Sequence, residues 1–368
     1  MNGPPRARAS RWQVRIGVFA VTVSLLLLPA LLAARHLGVP GDEAERQRVV
    51  RALAAEAAPG LETEVARSFH GASLFGVSSW PDGAEARQEV LTRARLAAIT
   101  AVLGLSLATY LVVLLARGRL QALAACGCLA LLPPIVQEGH VLRPEVPAAL
   151  FAAFAVLLLE CLAQAVRSQR TGAVRVLGFV LCAAVASGLA VAAFPRHGAP
   201  LLVGGVVLTL GALQFGLRSV QVARRRGVTA LPIRALNARL LPWTATALLT
   251  PAVTMVLLGV VGDGPSDGAL PSAGADYWPA SFALRLAFAA ALALGGFTML
   301  LRTGQAWRRR GRIGPDLVLL VAAAVALASG LPQPEGEDRV LLAVPTAVLL
   351  AEACWALAML AQWRRLRA

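Results

Sequence analysis

Two polar stretches between long apolar runs hold the residue types needed for acid–base or phosphate chemistry. Asp42 and Glu43 follow Gly41 shortly after the first apolar run. A carboxylate in that place can take a proton from an attacking hydroxyl, provided it comes within hydrogen-bond reach. It can equally cap the helix that follows, because acids at a helix N-terminus are favoured by the dipole. The second stretch, QEGHVLRPEVP, brings Glu138, His140, Arg143 and Glu145 into one short loop. Arg143 suits a lipid phosphate, and Glu138, His140 or Glu145 suits substrate binding or, as a lesser option, a metal. The plainer reading is a surface pair between Arg143 and Glu145, with Pro144 and Pro147 starting the next helix.

Other ionisable residues carry less. His36, His70 and His197 stand alone in the sequence, outside any HExxH-type pattern. Glu160 is expected to snorkel from the end of its helix toward Arg167, whereas Glu352 is deeper and faces either a polar cavity or a structural hydrogen-bond partner. No phosphate loop, dinucleotide fingerprint or nucleophile elbow occurs, which leaves ATP-driven transport and hydrolase chemistry without support. No cofactor is called for, and a divalent metal has no clear motif. Five cysteines, Cys126, Cys128, Cys161, Cys182 and Cys354, all fall in apolar runs, where a thiol packs as a small hydrophobe.

The elements that must position these groups are membrane helices. Of 368 residues 57% are hydrophobic and only 15% charged, and the mean hydropathy is +0.67; a soluble domain of this length carries far more charge. The formal charge of +15 comes entirely from arginine. Those arginines sit in short clusters between apolar runs rather than in one patch, which argues against nucleic acid. A span needs roughly 20 apolar residues. Runs of about that length lie near 14–34, 96–116, 120–136, 146–166, 174–194, 199–217, 241–262, 280–301, 315–332 and 340–361, the third and ninth being shortest. Pro133 and Pro134 break the third near its outer end.

Assigning loops alternately to two sides separates the charges. One side collects Arg6 to Arg15, Arg117 and Arg119, Arg167 to Arg175, Arg218 to Arg239, Arg302 to Arg312 and Arg364 to Arg367, with Asp316 its one acid. The other holds residues 35–93, Glu138, Glu145, Asp263, Asp267, Asp276, Glu335, Glu337 and Asp338. By the positive-inside rule the first side is cytoplasmic. The expected architecture is thus an all-α polytopic bundle of about ten transmembrane helices, one integral-membrane domain over 1–368. Residues 1–13 and 362–368 are its cytoplasmic ends, and 35–93 a long first outer loop carrying surface helices. In that loop Val49, Val50, Leu53 and Ala57 form one stripe, which predicts a helix lying on the bilayer surface. A second helical pattern starts near Ala84 and runs into the second span through Arg93 and Arg95.

With these motifs in order the chain resembles the GT-C glycosyltransferases, especially bacterial relatives of the protein O-mannosyltransferases and the lipid A aminoarabinose transferase. Gly41-Asp42-Glu43 resembles that family's acidic motif in the first outer loop. Ala94-Arg95-Leu96 and the Gly118-Arg119 turn are similar to its second span, Leu142-Arg143-Pro144-Glu145 to its loop motif, and Asp338-Arg339 with Pro345 to its entry into a late helix. The resemblance implies an enzyme of the bacterial inner membrane that moves a sugar from a polyprenyl-phosphate donor to a lipid, glycan or protein acceptor on the outer face. It also implies that Asp42 is the catalytic base with Glu43 beside it, and that Arg143 and Arg339 meet the donor phosphate. A lipid or solute transporter, for which Glu352 is the deep charge to offer, and a non-catalytic envelope scaffold are the rival classes.

Overall fold

The computed structural model describes residues 11–37, 39–41, 45–47, 49–50, 80–141, 145–168, 173–193, 249, 282–310, 315–330 and 342–367. Nine helices make up nearly all of these: α1 (Arg11–Ala34), α2 (Ala84–Arg117), α3 (Arg119–Leu131), α4 (Pro133–Glu138), α5 (Glu145–Ser168), α6 (Ala173–Ala193), α7 (Phe282–Arg310), α8 (Pro315–Gly330) and α9 (Ala343–Arg367).

Among the described residues, four helices are long and apolar enough to cross a membrane: α1, α2, α7 and α9. Shorter apolar stretches occupy α3, α5 and α6. The protein is therefore a multi-span helical membrane protein, while the spans expected near 199–217 and 241–262 fall outside the described residues. Large apolar side chains such as Ile16, Phe19 and Leu31 on α1 and Phe297 and Leu300 on α7 are exposed. In lipid such a face needs no protein cover.

Helix α2 organises the bundle. Its 34 residues make it roughly 50 Å long at 1.5 Å per residue, well beyond the hydrocarbon core. It packs against α1, α3, α5 and α8. The helical pattern expected from Ala84 is continuous with the span, with Arg95 on its buried face. At the other end Gly118 turns the chain at φ 101° and its N–H donates to the Val113 and Leu114 carbonyls. That φ is favourable only for glycine. Helix α3 then runs back until Leu132, which is extended, and Pro133 opens α4 at its first position. Proline lacks the N–H that would continue the helix, which explains the break predicted at Pro133.

The core is built of small residues with a few large ones between them. Val102 and Leu105 on α2, Leu129 on α3, Ile135 on α4, and Val146 and Leu150 on α5 pack with Ala343 and Ala347 of α9. Alanine and glycine let helix backbones approach closely, the usual solution where lipid supplies no hydrophobic drive between helices. The tightest crossing joins α7 to α9: a Cβ on Gly295 would lie 2.0 Å from the Leu349 carbonyl oxygen.

Candidate functional site

The candidate site lies where the end of α1 meets the start of α2 and the chain after α4. Arg95, immediately before the apolar part of α2, is buried with only 2% of its side chain exposed, and Glu45 with 6%. Its Nε donates to Glu45 Oε1 at 2.7 Å and its Nη2 to Oε2 at 2.6 Å. Such a two-point pair is the geometry a planar guanidinium and a carboxylate make best. The remaining nitrogen, Nη1, donates to the Val39 carbonyl at 2.6 Å and to the His36 carbonyl. One guanidinium thus satisfies two carbonyls past the last turn of α1 and a carboxylate six residues beyond Val39. It holds both flanks of the segment that contains Asp42 and Glu43.

Gly41 shows how closely those flanks are packed. A Cβ there would stand 2.8 Å from Glu45 Oε2 and 2.9 Å from Leu91 Cδ1. Below it Val49, Val90, Leu91 and Ala94 form a small core covered by Trp80. The stripe begun by Val49 was expected to lie on lipid. Instead Val49 is fully buried against α2, because the Arg95–Glu45 pair draws this segment onto the helix.

His140, in the turn after α4, stacks on His36 with ring centroids 3.9 Å apart and planes 6° from parallel. His36 is therefore not isolated: residues distant in sequence close the gap between the end of α1 and the second polar stretch. Of the other residues expected to do chemistry, Glu138 ends α4 and Glu145 opens α5, so both belong to the same end of the bundle as His140. Asp42, Glu43, Arg143 and Arg339 lie outside the described residues. Among the described residues, no group of three His, Cys, Asp or Glu side chains converges as a metal site. Arg95 and Glu45 are the participants that sequence reasoning missed as a pair. The available signal was an arginine at the very entrance of an apolar span, beneath an acid-rich loop.

At the opposite end of α2 is a second polar knot. Arg117, 2% exposed, donates from Nε to Glu352 at 2.6 Å, from Nη2 to Thr303 Oγ1 at 3.0 Å, and from Nη1 to Asp316. Glu352 also accepts from Gln121 at 3.3 Å and Arg302 at 3.0 Å, and Arg302 lies over the Trp355 ring at 4.1 Å. The deep charge of α9 is thus held by two arginines and an amide. Glu160 departs from expectation: it does not snorkel but is fully buried, within electrostatic reach of Arg117 and Asp316, because α5 packs that face on α2 and α8.

No protein-family model matches the sequence, and no curated protein matches it. Solved structures do. The oligosaccharyltransferase AglB of Archaeoglobus fulgidus, in complex with an inhibitory peptide and a dolichol-phosphate, matches with a TM-score of 0.57 over 96% of this chain and 52% of its own, at 16% identity. Its apo form matches at 0.54 over 94% and 51%, also at 16% identity. The form tethered to an acceptor peptide containing the NVT sequon matches at 0.53 over 91% and 49%, at 14% identity. The fold is GT-C. The chain spans about half the length of these enzymes, and at such identities the likeness is one of fold alone. It agrees with the expected all-α membrane fold and singles out no bacterial subfamily.

Proposed function

We propose that this protein is a GT-C glycosyltransferase that moves a sugar from a polyprenyl-phosphate carrier to an acceptor on the outer face of the bacterial inner membrane. The observation that carries this reading is the Arg95 clamp. It fixes Val39 and Glu45 on either side of Asp42 and Glu43, at the end of the bundle where His140 also lies. An acid that must meet a substrate hydroxyl works only when its backbone is held, since misplacement by an ångström is costly. The GT-C fold supplies the general setting, and the solved relative that holds a dolichol-phosphate supports a lipid-phosphate donor.

In this mechanism Asp42 takes the proton of the acceptor hydroxyl as its oxygen bonds to the anomeric carbon. The bond from that carbon to the carrier phosphate breaks, and the phosphate leaves with the bonding pair. Arg143 and Arg339 neutralise its charge through charge-assisted hydrogen bonds. Glu43 borders the base, and Glu138, His140 and Glu145 line the acceptor side. A topology of about ten spans with both ends cytoplasmic puts all of these on one face and belongs to the same proposal.

The test is sugar transfer by the purified protein in liposomes containing a lipid-linked sugar. Asp42→Asn is expected to lower the rate at least about 100-fold, in keeping with loss of a general base. Turnover by that variant at the parent rate would refute the assignment.

A further inference from the structure

Helices α7 and α9 pack closely at Gly295 and Leu349 and meet again at Arg302 and Trp355. Both therefore run in the same direction, and their C-terminal turns lie on the side of the Arg117 knot. In sequence α7 ends in WRRR and α9 in WRRLR, and Glu352 is the one acid in the two helices. That acid is buried and already bound by Arg117, Arg302 and Gln121.

Arg302 is the cation of this end that the fold holds in place. Its Nη1 donates to Glu352 at 3.0 Å, and its guanidinium lies 4.1 Å over the Trp355 ring. The side chain is 25% exposed. Its Nε and Nη2 make no hydrogen bond among the described residues, and a planar guanidinium presents such donors as an edge that fits phosphate oxygens. The surface beside it is apolar: Phe297, Leu300 and Leu301 on α7 and Leu357 and Leu360 on α9 are all exposed. The next turn of α9 brings Trp363, Arg364 and Arg365, also exposed. Tryptophan and arginine at the end of an apolar run suit the headgroup layer of a bilayer.

We propose that the α7–α9 face binds an anionic phospholipid. Arg302 takes the lipid phosphate, the acyl chains lie on Phe297, Leu300 and Leu301, and Arg364 and Arg365 add attraction for a negatively charged headgroup. Charge is what separates this face from an ordinary lipid-facing surface. An apolar helix face accepts any acyl chain, whereas an anionic headgroup is favoured only where cations are unmatched by acids, and each arginine near the bilayer surface adds about fivefold. The face is separate from the glycosyl-transfer site, which lies at the other end of α2.

Native mass spectrometry of the purified full chain tests this, by titration in detergent with phosphatidylglycerol or with phosphatidylcholine of the same acyl chains. The parent is expected to hold phosphatidylglycerol at least about tenfold more tightly. Arg302→Gln is expected to lower that affinity about fivefold and to leave phosphatidylcholine binding unchanged. The double variant Arg364→Gln, Arg365→Gln is expected to lower the same preference. Because it alters only exposed side chains, it carries the test should Arg302→Gln not fold. Equal affinity of the parent for the two lipids, or a preference unchanged in the folded variants, overturns the proposal. An equal fall for both lipids marks a merely structural effect and overturns it as well. Displacement of phosphatidylglycerol by millimolar inorganic phosphate would make Arg302 a small-anion site instead, with the same consequence. No readout depends on sugar transfer, so failure here is distinguishable from failure of the glycosyltransferase reading.

Discussion

Arg95 and Glu45, separated by 50 residues in sequence, form a buried two-point ion pair whose second function is to bind the carbonyls that close α1. Removing one partner of such a pair leaves an uncompensated charge. Glu45→Gln and Arg95→Met are each expected to cost about 3–5 kcal/mol. The double variant is expected to be less damaged than the sum of the singles. A double-mutant cycle on unfolding midpoints measures this, and strict additivity would mean that the pair is not coupled.

Gly41→Ala tests the clamp more gently. The added methyl meets Glu45 Oε2 and Leu91 Cδ1, so it must displace the carboxylate that Arg95 holds. A destabilisation of about 1–3 kcal/mol is expected from the overpacking. A fall in transfer rate larger than the fall in folded fraction is also expected. Gly83→Ala, where a Cβ meets nothing within 4 Å, serves as the control.

The His36–His140 stack makes a different prediction. If the imidazole of His36 acts through its ring face, His36→Phe keeps the contact and the transfer rate, while His36→Ala loses about 0.5–1.5 kcal/mol of aromatic pairing. The liposome assay and the unfolding midpoint report the two effects separately. Loss of activity in the phenylalanine variant would assign a nitrogen of His36 a direct role.

Glu352→Gln bears on the transporter class. Glu352 accepts from Arg117, Arg302 and Gln121, so loss of its charge leaves cationic excess in a buried knot. Destabilisation of about 3 kcal/mol or more is expected, with transfer per folded molecule retained. Proton-coupled solute flux in the parent that this variant lacks would favour the transporter class instead.

Gly295→Ala is expected to be the most damaging small substitution in the bundle, because the Leu349 backbone cannot yield as a side chain can. The neighbouring Gly296 meets nothing within 4 Å, and Gly296→Ala is expected to fold normally. Yield and midpoint of the two variants, prepared side by side, check the contrast.

What the sequence made legible was local. The run from Ala84 through Arg95 into an apolar segment reads as one helix because its period does not change, and α3 ends before Pro133 because proline has no N–H to donate to the carbonyl four residues back. What it hid was pairing across the fold. Glu45 is indistinguishable in sequence from its acidic neighbours, and Arg117 resembles an ordinary topology anchor until α9 brings in Glu352 from 235 residues away. Glu160 was misread for the same reason: the sequence places it near a helix end, whereas the packing of α5 on α2 and α8 decides that the end is enclosed.

Helix α2 carries a buried arginine toward each of its ends, Arg95 and Arg117. At 1.5 Å per residue these lie roughly 33 Å apart along one axis, close to the thickness of a bilayer's hydrocarbon core. A markedly thicker bilayer would bring the polar knots toward hydrocarbon and a markedly thinner one would leave apolar helix between them facing water, so lipid chain length becomes a variable that acts on both ends of the molecule at once.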